Sequence, residues 1–386
     1  MNIVKLFLYF KKFLKAKWSI LPPKKVDIIL FDGVFNPFNK FLKNKSYSIF
    51  YNRNEKLNLF ILLICFLKLN ISKKHYIKTY FRYSKPKIVL TAIDNSHTFL
   101  EIKDYINSKI KTISIQNAHR TYWGDLLDLE NKFKLRKKKF KVDIMFVFNK
   151  EIKKTYNKFI DGKKIIIGAY TNNDRKKIKY NLKKEVIFIS THKPYEDPDY
   201  YEGKISNFDF YKNDKQVLKT VSRLCKKNNL KLNILGRIKR EEEFEQYQKE
   251  YDYFKKILGN NFKFIANKDG NNNYFILDKF KYTITIDSTL GIENLSRGGR
   301  TIFIGSRPIK FPANTRAYGN MVGFKLNGKY WCHFSPEKNV TKVFNNLIKQ
   351  NNIFWNECIN KNRKSLIYYD SENTIFYKEL NKYLKF

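Results

Sequence analysis

Short apolar runs recur along the chain, separated by longer stretches that are polar and rich in lysine. Val26–Phe31 is one such run and closes on Asp32-Gly33, a turn signal. Tyr47–Tyr51, Lys87–Ile93, Lys111–Gln116, Asp143–Phe148 and Lys163–Gly168 continue the series, with helical segments near 55–68 and from Ser96 onward. Continuous apolar strands, without the in-out alternation of a half-exposed sheet, predict a parallel sheet covered on both faces. Thr171–Lys184 holds no apolar run, so a domain boundary is placed there. The pattern then restarts with Glu185–Ser190, Lys231–Gly236, Phe262–Ile265, Tyr282–Ile286 and Arg300–Ile304 as strands. Helices are expected near 213–228, 240–258, 272–280 and Thr289–Arg297. The fold class is therefore α/β: two Rossmann-like, doubly wound parallel-sheet domains facing across a cleft, with C-terminal helices. The expected division is an N-terminal helix over 1–20, a first domain over 26–170, a second over 185–345, and helices over 346–386.

Two apolar stretches stand outside that alternation. Within residues 1–20, Ile3, Leu6, Phe7, Phe10, Phe13, Leu14 and Trp18 share one helical face. Lys5, Lys11, Lys12 and Lys15 lie off it, and Lys17 departs from the pattern. This predicts a basic amphipathic helix, either lying in a membrane interface or docked on its own domain. The lysines and the lack of a small-residue cleavage site argue against a cleavable signal peptide. Leu57–Leu67 is too short to span a bilayer and reads as a buried core helix.

Length and composition fit this picture. A chain of 386 residues exceeds one ordinary open α/β core and suits two domains. Its net charge of +42 suggests an anionic partner, nucleic acid or a membrane surface. A second reading is compositional: Lys, Asn, Ile, Phe and Tyr are abundant together, as an AT-rich coding sequence would make them. Cys65, Cys225, Cys332 and Cys358 form no CxxC pair and no zinc-like Cys/His spacing, so a reduced intracellular compartment is expected.

Residues just past the strands are the ones a cleft would expose. After Tyr282–Ile286 comes Asp287-Ser288-Thr289-Leu290-Gly291-Ile292-Glu293, and the helix is expected to stop at Gly298-Gly299. Ser288 and Thr289 at a helix start would present N–H groups and a positive dipole end to a phosphate. Gly291 is read as admitting a phosphate or base closely, and Glu293 as accepting two ribose hydroxyls. An ordinary capped helix between two strands is the plainer alternative. In the same domain His192 follows one strand, and Gly236, Arg237 and Lys239 follow another, where they would meet donor phosphates. In the first half, Asp94 and Asn95 follow one strand, and Gln116, Asn117, Ala118, His119 and Arg120 another.

The 287–304 segment resembles the donor-site motif of GT-B glycosyltransferases. The stretches around Asp94-Asn95 and Gln116-Asn117-Ala118-His119-Arg120 resemble those of bacterial surface carbohydrate biosynthesis proteins from O-antigen and capsule gene clusters. The resemblance spans most of 26–305, and Ala118 departs from it where that family tends to have Gly. It implies transfer of a sugar from a nucleotide sugar, CMP-linked donors being slightly favoured, to a growing glycan or lipid-linked acceptor. Asp94 is the first candidate for the base that such chemistry needs, and His119 the second. Asp32, Asn95, Gln116, Asn117 and Arg120 are assigned to the acceptor side of the cleft or to its frame. No metal and no further cofactor are expected, since no Asp-x-Asp stands at the proposed site. The expected setting is cytoplasmic, at the anionic inner face of the membrane, with no specific nucleic-acid partner. A nucleic-acid-binding protein, a noncatalytic scaffold and a sugar epimerase remain alternatives at this point.

Overall fold

In the computed structural model, residues 16–33, 36–53, 55–120, 126–175, 182–192, 211–241, 243–267, 270–306, 327–362 and 366–384 are described, 270–272 by backbone alone. Two six-stranded sheets carry the fold. The strands of the first sheet are β2 (Ile28–Phe31), β3 (Tyr47–Phe50), β5 (Ile88–Thr91), β6 (Lys111–Ile115), β7 (Phe140–Val147) and β8 (Ile160–Ile166). Their order is β3-β2-β5-β6-β7-β8, and every pairing is parallel. The second sheet holds β9 (Lys183–Ile189), β10 (Leu232–Lys239), β11 (Lys263–Asn267), β12 (Phe280–Thr285), β13 (Arg300–Gly305) and β14 (Trp331–His333). Their order is β11-β10-β9-β12-β13-β14, again all parallel. A small parallel ribbon of β1 (Lys17–Ser19) and β4 (Lys56–Asn58) completes the strands.

Both sheets are buried on two faces, which explains the uninterrupted apolar runs. In the first, Ile29, Phe31, Val89 and Met145 face one core, and Ile28, Leu30, Ile88 and Phe146 the other. In the second, Val186, Phe188 and Ile284 face the larger core, and Ile187, Ile189 and Leu235 the smaller. Helices Glu337–Lys349 and Asn352–Lys361 add Val340, Phe344 and Trp355 to the second domain's core. The last helix, Thr374–Leu384, instead returns to the first domain, where Phe376 and Leu380 pack with Leu30 and Phe146.

The returning tail runs along the segment between the domains. Asn173 accepts from the Asp370 amide at 3.1 Å, and its Nδ2 donates to Ile167 O and to Asn373 Oδ1. Gly168 sits here at φ 74°, with the Tyr368 carbonyl oxygen 1.6 Å from where a Cβ would stand. Only glycine fits that crossing.

Two expectations need correction. The first concerns the N-terminal helix: most of it, residues 1–15, lies outside the described residues, while Lys17–Ser19 is a strand pairing with Lys56–Asn58. The second is the apolar stretch near 57–67. It does form a helix, Leu59–Leu67, but only Ile61 and Cys65 are buried. Nine residues present one inward stripe, and the remainder of an all-apolar helix must point outward. Among the described residues no helix is long and apolar enough to cross a membrane. The four cysteines are buried and unpaired, and burial pushes the Cys225 and Cys332 thiols up to about 12.

Candidate active site

Strand order locates the cleft. In the first sheet the chain winds outward from β2 to β3, then restarts on the other side of β2 with β5. In the second it winds from β9 to β11, then restarts beside β9 with β12. Ligands of doubly wound sheets bind past the carboxyl ends of strands at such reversals. Asp32 and Asp94 follow β2 and β5; Ser190–His192 and Ser288–Thr289 follow β9 and β12. These predicted residues therefore lie at the two reversals.

The two halves touch through them. His119 Nδ1 lies 2.7 Å from Thr289 Oγ1, and the His119 amide donates to the same oxygen at 3.3 Å. Ser288 is the N-cap of the Thr289–Ser296 helix, and its amide donates to Thr285 Oγ1 at 3.2 Å. The imidazole of one domain thus rests on the first turn of the Thr289–Ser296 helix of the other, where the dipole is positive.

Asp94 is placed differently from its expected role as base. It is 1% exposed, and Arg120 holds both its oxygens, through Nε at 3.1 Å and through Nη2. Tyr156 donates to Oδ2 at 2.6 Å, and the Asn117 amide reaches Oδ1 at 3.4 Å. A carboxylate so engaged is a buried anchor, which accounts for Asp94 without proton transfer. Arg120 Nη2 also donates to Asn117 Oδ1 at 2.7 Å, so Arg120 braces the loop rather than reaching for a ligand phosphate. Gln116 donates to Ala118 O and accepts from the Phe148 amide, which locks the turn carrying His119. Asn95 is exposed beside this network. A small cavity of about 80 Å³ opens next to Asp94, where His97 Nε2 lies 2.6 Å from Asp128. Asp32 forms a separate cluster at the end of β2. It adopts φ 66°, is 2% exposed, and binds exposed Arg53 through Oδ2 at 3.2 Å.

In the second domain, Glu293 is buried, and Tyr274 donates its hydroxyl to Oε2. Tyr274 also lies 3.2 Å from Thr171 Oγ1, on the segment between the domains. Burial pushes the Glu293 carboxyl up to about 7, against the pull of Tyr274 and the Arg297 guanidinium. Arg297 is itself anchored by Asp278, 2.6 Å away. Burial likewise drives Tyr274 well above the usual phenol range, so it stays a donor.

Packing alone already requires glycine at position 291. A Cβ there would come within 2.6 Å of Thr285 Cγ2, so its role is close packing of the helix on β12. Gly236 is similar: its Cβ would meet Phe264 Cζ at 2.7 Å. Asn294 adds bonds to Thr283 and Thr301, fastening the helix to β12 and β13. Gly298, at φ 97°, ends it as expected.

His192 stacks on Tyr253 with ring centroids 3.8 Å apart and nearly parallel planes, and its amide donates to Ser190 Oγ at 3.2 Å. Burial, with Arg237 nearby, lowers its imidazole to about 4, so it is neutral at physiological pH. Arg237 is exposed and reaches Thr191 O at 3.4 Å; Lys239 is half-buried farther along β10.

Sequence reading passed over the residue that orders these strand ends. Glu250, on the Phe244–Leu258 helix, is fully buried. It accepts from Ser190 Oγ at 2.5 Å, from the Arg237 amide at 2.9 and 3.0 Å, and from the Ile238 amide at 2.9 Å. Burial raises its carboxyl, opposed by these donors. The signal was present: Glu250 stands four and eight residues before Phe254 and Leu258, on the apolar face of an otherwise charged helix. Tyr156 is comparable, one turn after buried Ile152.

A cavity of about 900 Å³ opens at the amino ends of β5 and β6, away from this cleft. Among the described residues no group of three or more His, Cys, Asp or Glu could hold a metal ion.

The architecture is similar to that of solved UDP-GlcNAc 2-epimerases. UDP-GlcNAc 2-epimerase from Neisseria meningitidis, bound to UDP-GlcNAc, superposes with a TM-score of 0.50 at 15% identity, covering 92% of this chain and 99% of that one. The Methanocaldococcus jannaschii UDP-GlcNAc 2-epimerase, in complex with UDP-GlcNAc and UDP, gives 0.51 at 11% identity, covering 93% and 99%. The wall teichoic acid polymerase TagF gives 0.49 at 12% identity, covering 95% and 91%. At such identities the likeness concerns the fold, which is the GT-B-like pair of domains. No curated protein sequence matches the chain. The family described as "putative O-antigen biosynthesis protein" matches residues 113–384, from the core of β6 through the returning C-terminal helix. The chain belongs to this O-antigen biosynthesis family.

Proposed function

We propose that the protein is a glycosyltransferase that moves a sugar from a nucleotide sugar to a growing surface glycan or its lipid-linked precursor. The contact between His119 and Thr289 carries this reading. It brings a proton-accepting group of the first domain onto the amino end of a helix suited to a donor phosphate. When Nδ1–H donates to Thr289 Oγ1, Nε2 bears the lone pair that would deprotonate an acceptor hydroxyl. Asp94 then holds Arg120 and, through it, the loop that aims His119. On the donor side, Thr289 and Arg237 would stabilise the departing phosphate, with neutral His192 as a hydrogen-bonding neighbour. Glu293 would take the ribose hydroxyls by exchanging its bond from Tyr274. A CMP-linked donor and transfer without a metal complete the proposal.

The test is release of nucleotide from CMP-, UDP- and CDP-linked sugars in the presence of an envelope glycan extract, with and without EDTA. Wild type should turn over one class in an acceptor-dependent way, EDTA leaving the rate unchanged. His119→Asn should lower kcat by roughly 10²–10⁴-fold, the usual worth of a positioned base, with nucleotide binding retained. Turnover unaffected by His119→Asn would refute the assignment of the base. Sugar product that forms without any acceptor would identify an epimerase instead.

A further inference from the structure

The Leu59–Leu67 helix is apolar on both its faces. Ile61 and Cys65 point inward, while Leu59, Leu63, Phe66 and Leu67 form a stripe open to solvent. The stripe continues past both ends of the helix. At the amino end Asn58 caps it, accepting from the Ile61 amide, and also donates to Ser19 Oγ and Leu21 O at 2.9 and 2.8 Å. This ties Ile20 and Leu21, 72% and 79% exposed, to the start of the helix. Beyond the carboxyl end, Leu69 and Ile71 are 90% and 70% exposed. Most of the exposed large apolar side chains among the described residues lie in this one region, between Trp18 and Tyr83. Soluble surfaces scatter such residues singly, and a contiguous patch marks a docking face.

The rim of the patch identifies its partner. Lys56 and Lys68 flank the helix and Lys74 follows Ile71 by three residues; all three are exposed, and no carboxylate pairs with them among the described residues. From residue 16 to 85 the acidic residues are Asp27, Asp32 and Glu55 alone. Asp27 and Asp32 already pair with Lys87 and Arg53. A second copy of this chain would bring the same positive charge against it. An apolar stripe rimmed by lysine instead matches a bilayer with anionic headgroups, whose phosphates take the lysines while the stripe enters the acyl boundary. Nine helical residues rise roughly 14 Å, less than half the ~30 Å hydrocarbon core. The helix would therefore lie in the interface.

We propose that β1, the Leu59–Leu67 helix and the following turn to Ile71 form the surface by which this protein docks on anionic lipid bilayers. The proposal stands apart from the transferase reading, since it concerns adhesion and not turnover.

The experiment is co-sedimentation of the full chain with vesicles of phosphatidylcholine alone or with one-quarter phosphatidylglycerol. Binding is expected to the anionic vesicles only, weakening as salt rises. Leu67→Ser, Leu69→Ser and Ile71→Ser combined should weaken it by roughly tenfold or more. These side chains are exposed, so the variant's melting temperature should match wild type. A second readout uses the folded wild type: brominated phosphatidylglycerol should quench Trp18, and Trp18→Phe should remove that part of the quenching. Equal binding to both vesicle types, unaltered binding of the triple variant, or Trp18 left unquenched in sedimented protein would each overturn the proposal. So would a wild type that ignores vesicles but dimerises until the same residues are replaced, which would make the patch an interface between copies.

Discussion

Replacing Glu293 by Gln should stabilise the protein above neutral pH while weakening nucleotide binding. Glu293 is 4% exposed, and burial raises its carboxyl from the ordinary 4.5 to about 7. An acid whose folded value is raised holds its proton in the folded state after the unfolded chain has lost it. Its contribution is therefore fully present below pH 4.5 and is lost as pH rises through 7. At ~1.4 kcal/mol per pH unit, the cost of keeping this carboxylate buried reaches about 3 kcal/mol by pH 8 and is only about 1 kcal/mol at pH 5. Gln has nearly the same shape, keeps an oxygen for the Tyr274 hydroxyl, and carries no charge at any pH. Urea unfolding followed by the fluorescence of Trp331 and Trp355, both in the second domain's core, reports the relevant region. The Gln variant should gain about 3 kcal/mol over wild type at pH 8 and about 1 kcal/mol at pH 5. The thermal shift given by the preferred nucleotide should shrink in the same variant. A buried charge kept at such cost, with a role only when ligand is bound, is a familiar trade of stability for activity. A Gln variant less stable than wild type at pH 8, or an advantage that does not change with pH, would refute the reasoning.

Two further expectations follow from the buried anions. Glu250→Ala strips the acceptor from the Arg237 and Ile238 amides and the Ser190 hydroxyl, and should cost about 3–5 kcal/mol in denaturant unfolding. Glu250→Gln should cost clearly less, since it keeps one acceptor oxygen. Asp94→Asn leaves the nearly buried Arg120 guanidinium without its counter-charge and should cost about 3–5 kcal/mol. Asp94→Asn should thus lower the melting temperature and activity together, whereas His119→Asn should lower activity alone; an Asp94→Asn protein of wild-type stability and no turnover would restore Asp94 as the base.

The apolar runs determined much of this protein unaided. A strand covered on both faces must be apolar at consecutive positions, so β2, β5, β6, β9, β10, β12 and β13 were legible, as was the Thr289–Ser296 helix with its glycine stop. That local logic also singled out the residues just past such strands as the ones a ligand cleft would expose. The composition of Leu59–Leu67 was visible too, but not its exposure, since apolar character does not say whether a neighbour covers a face. The roles of Asp94, Gly291 and Glu250 were decided only by tertiary packing. Arg120 and Tyr156 reach Asp94 from other elements and use up its oxygens. Thr285 approaches Gly291 until no Cβ fits, and two strand ends converge on Glu250. The return of Thr374–Leu384 to the first domain is of the same kind. Sequence patterns fix what a segment must do with its own neighbours, and the partners a side chain meets on other elements are chosen by how the packed elements close on one another.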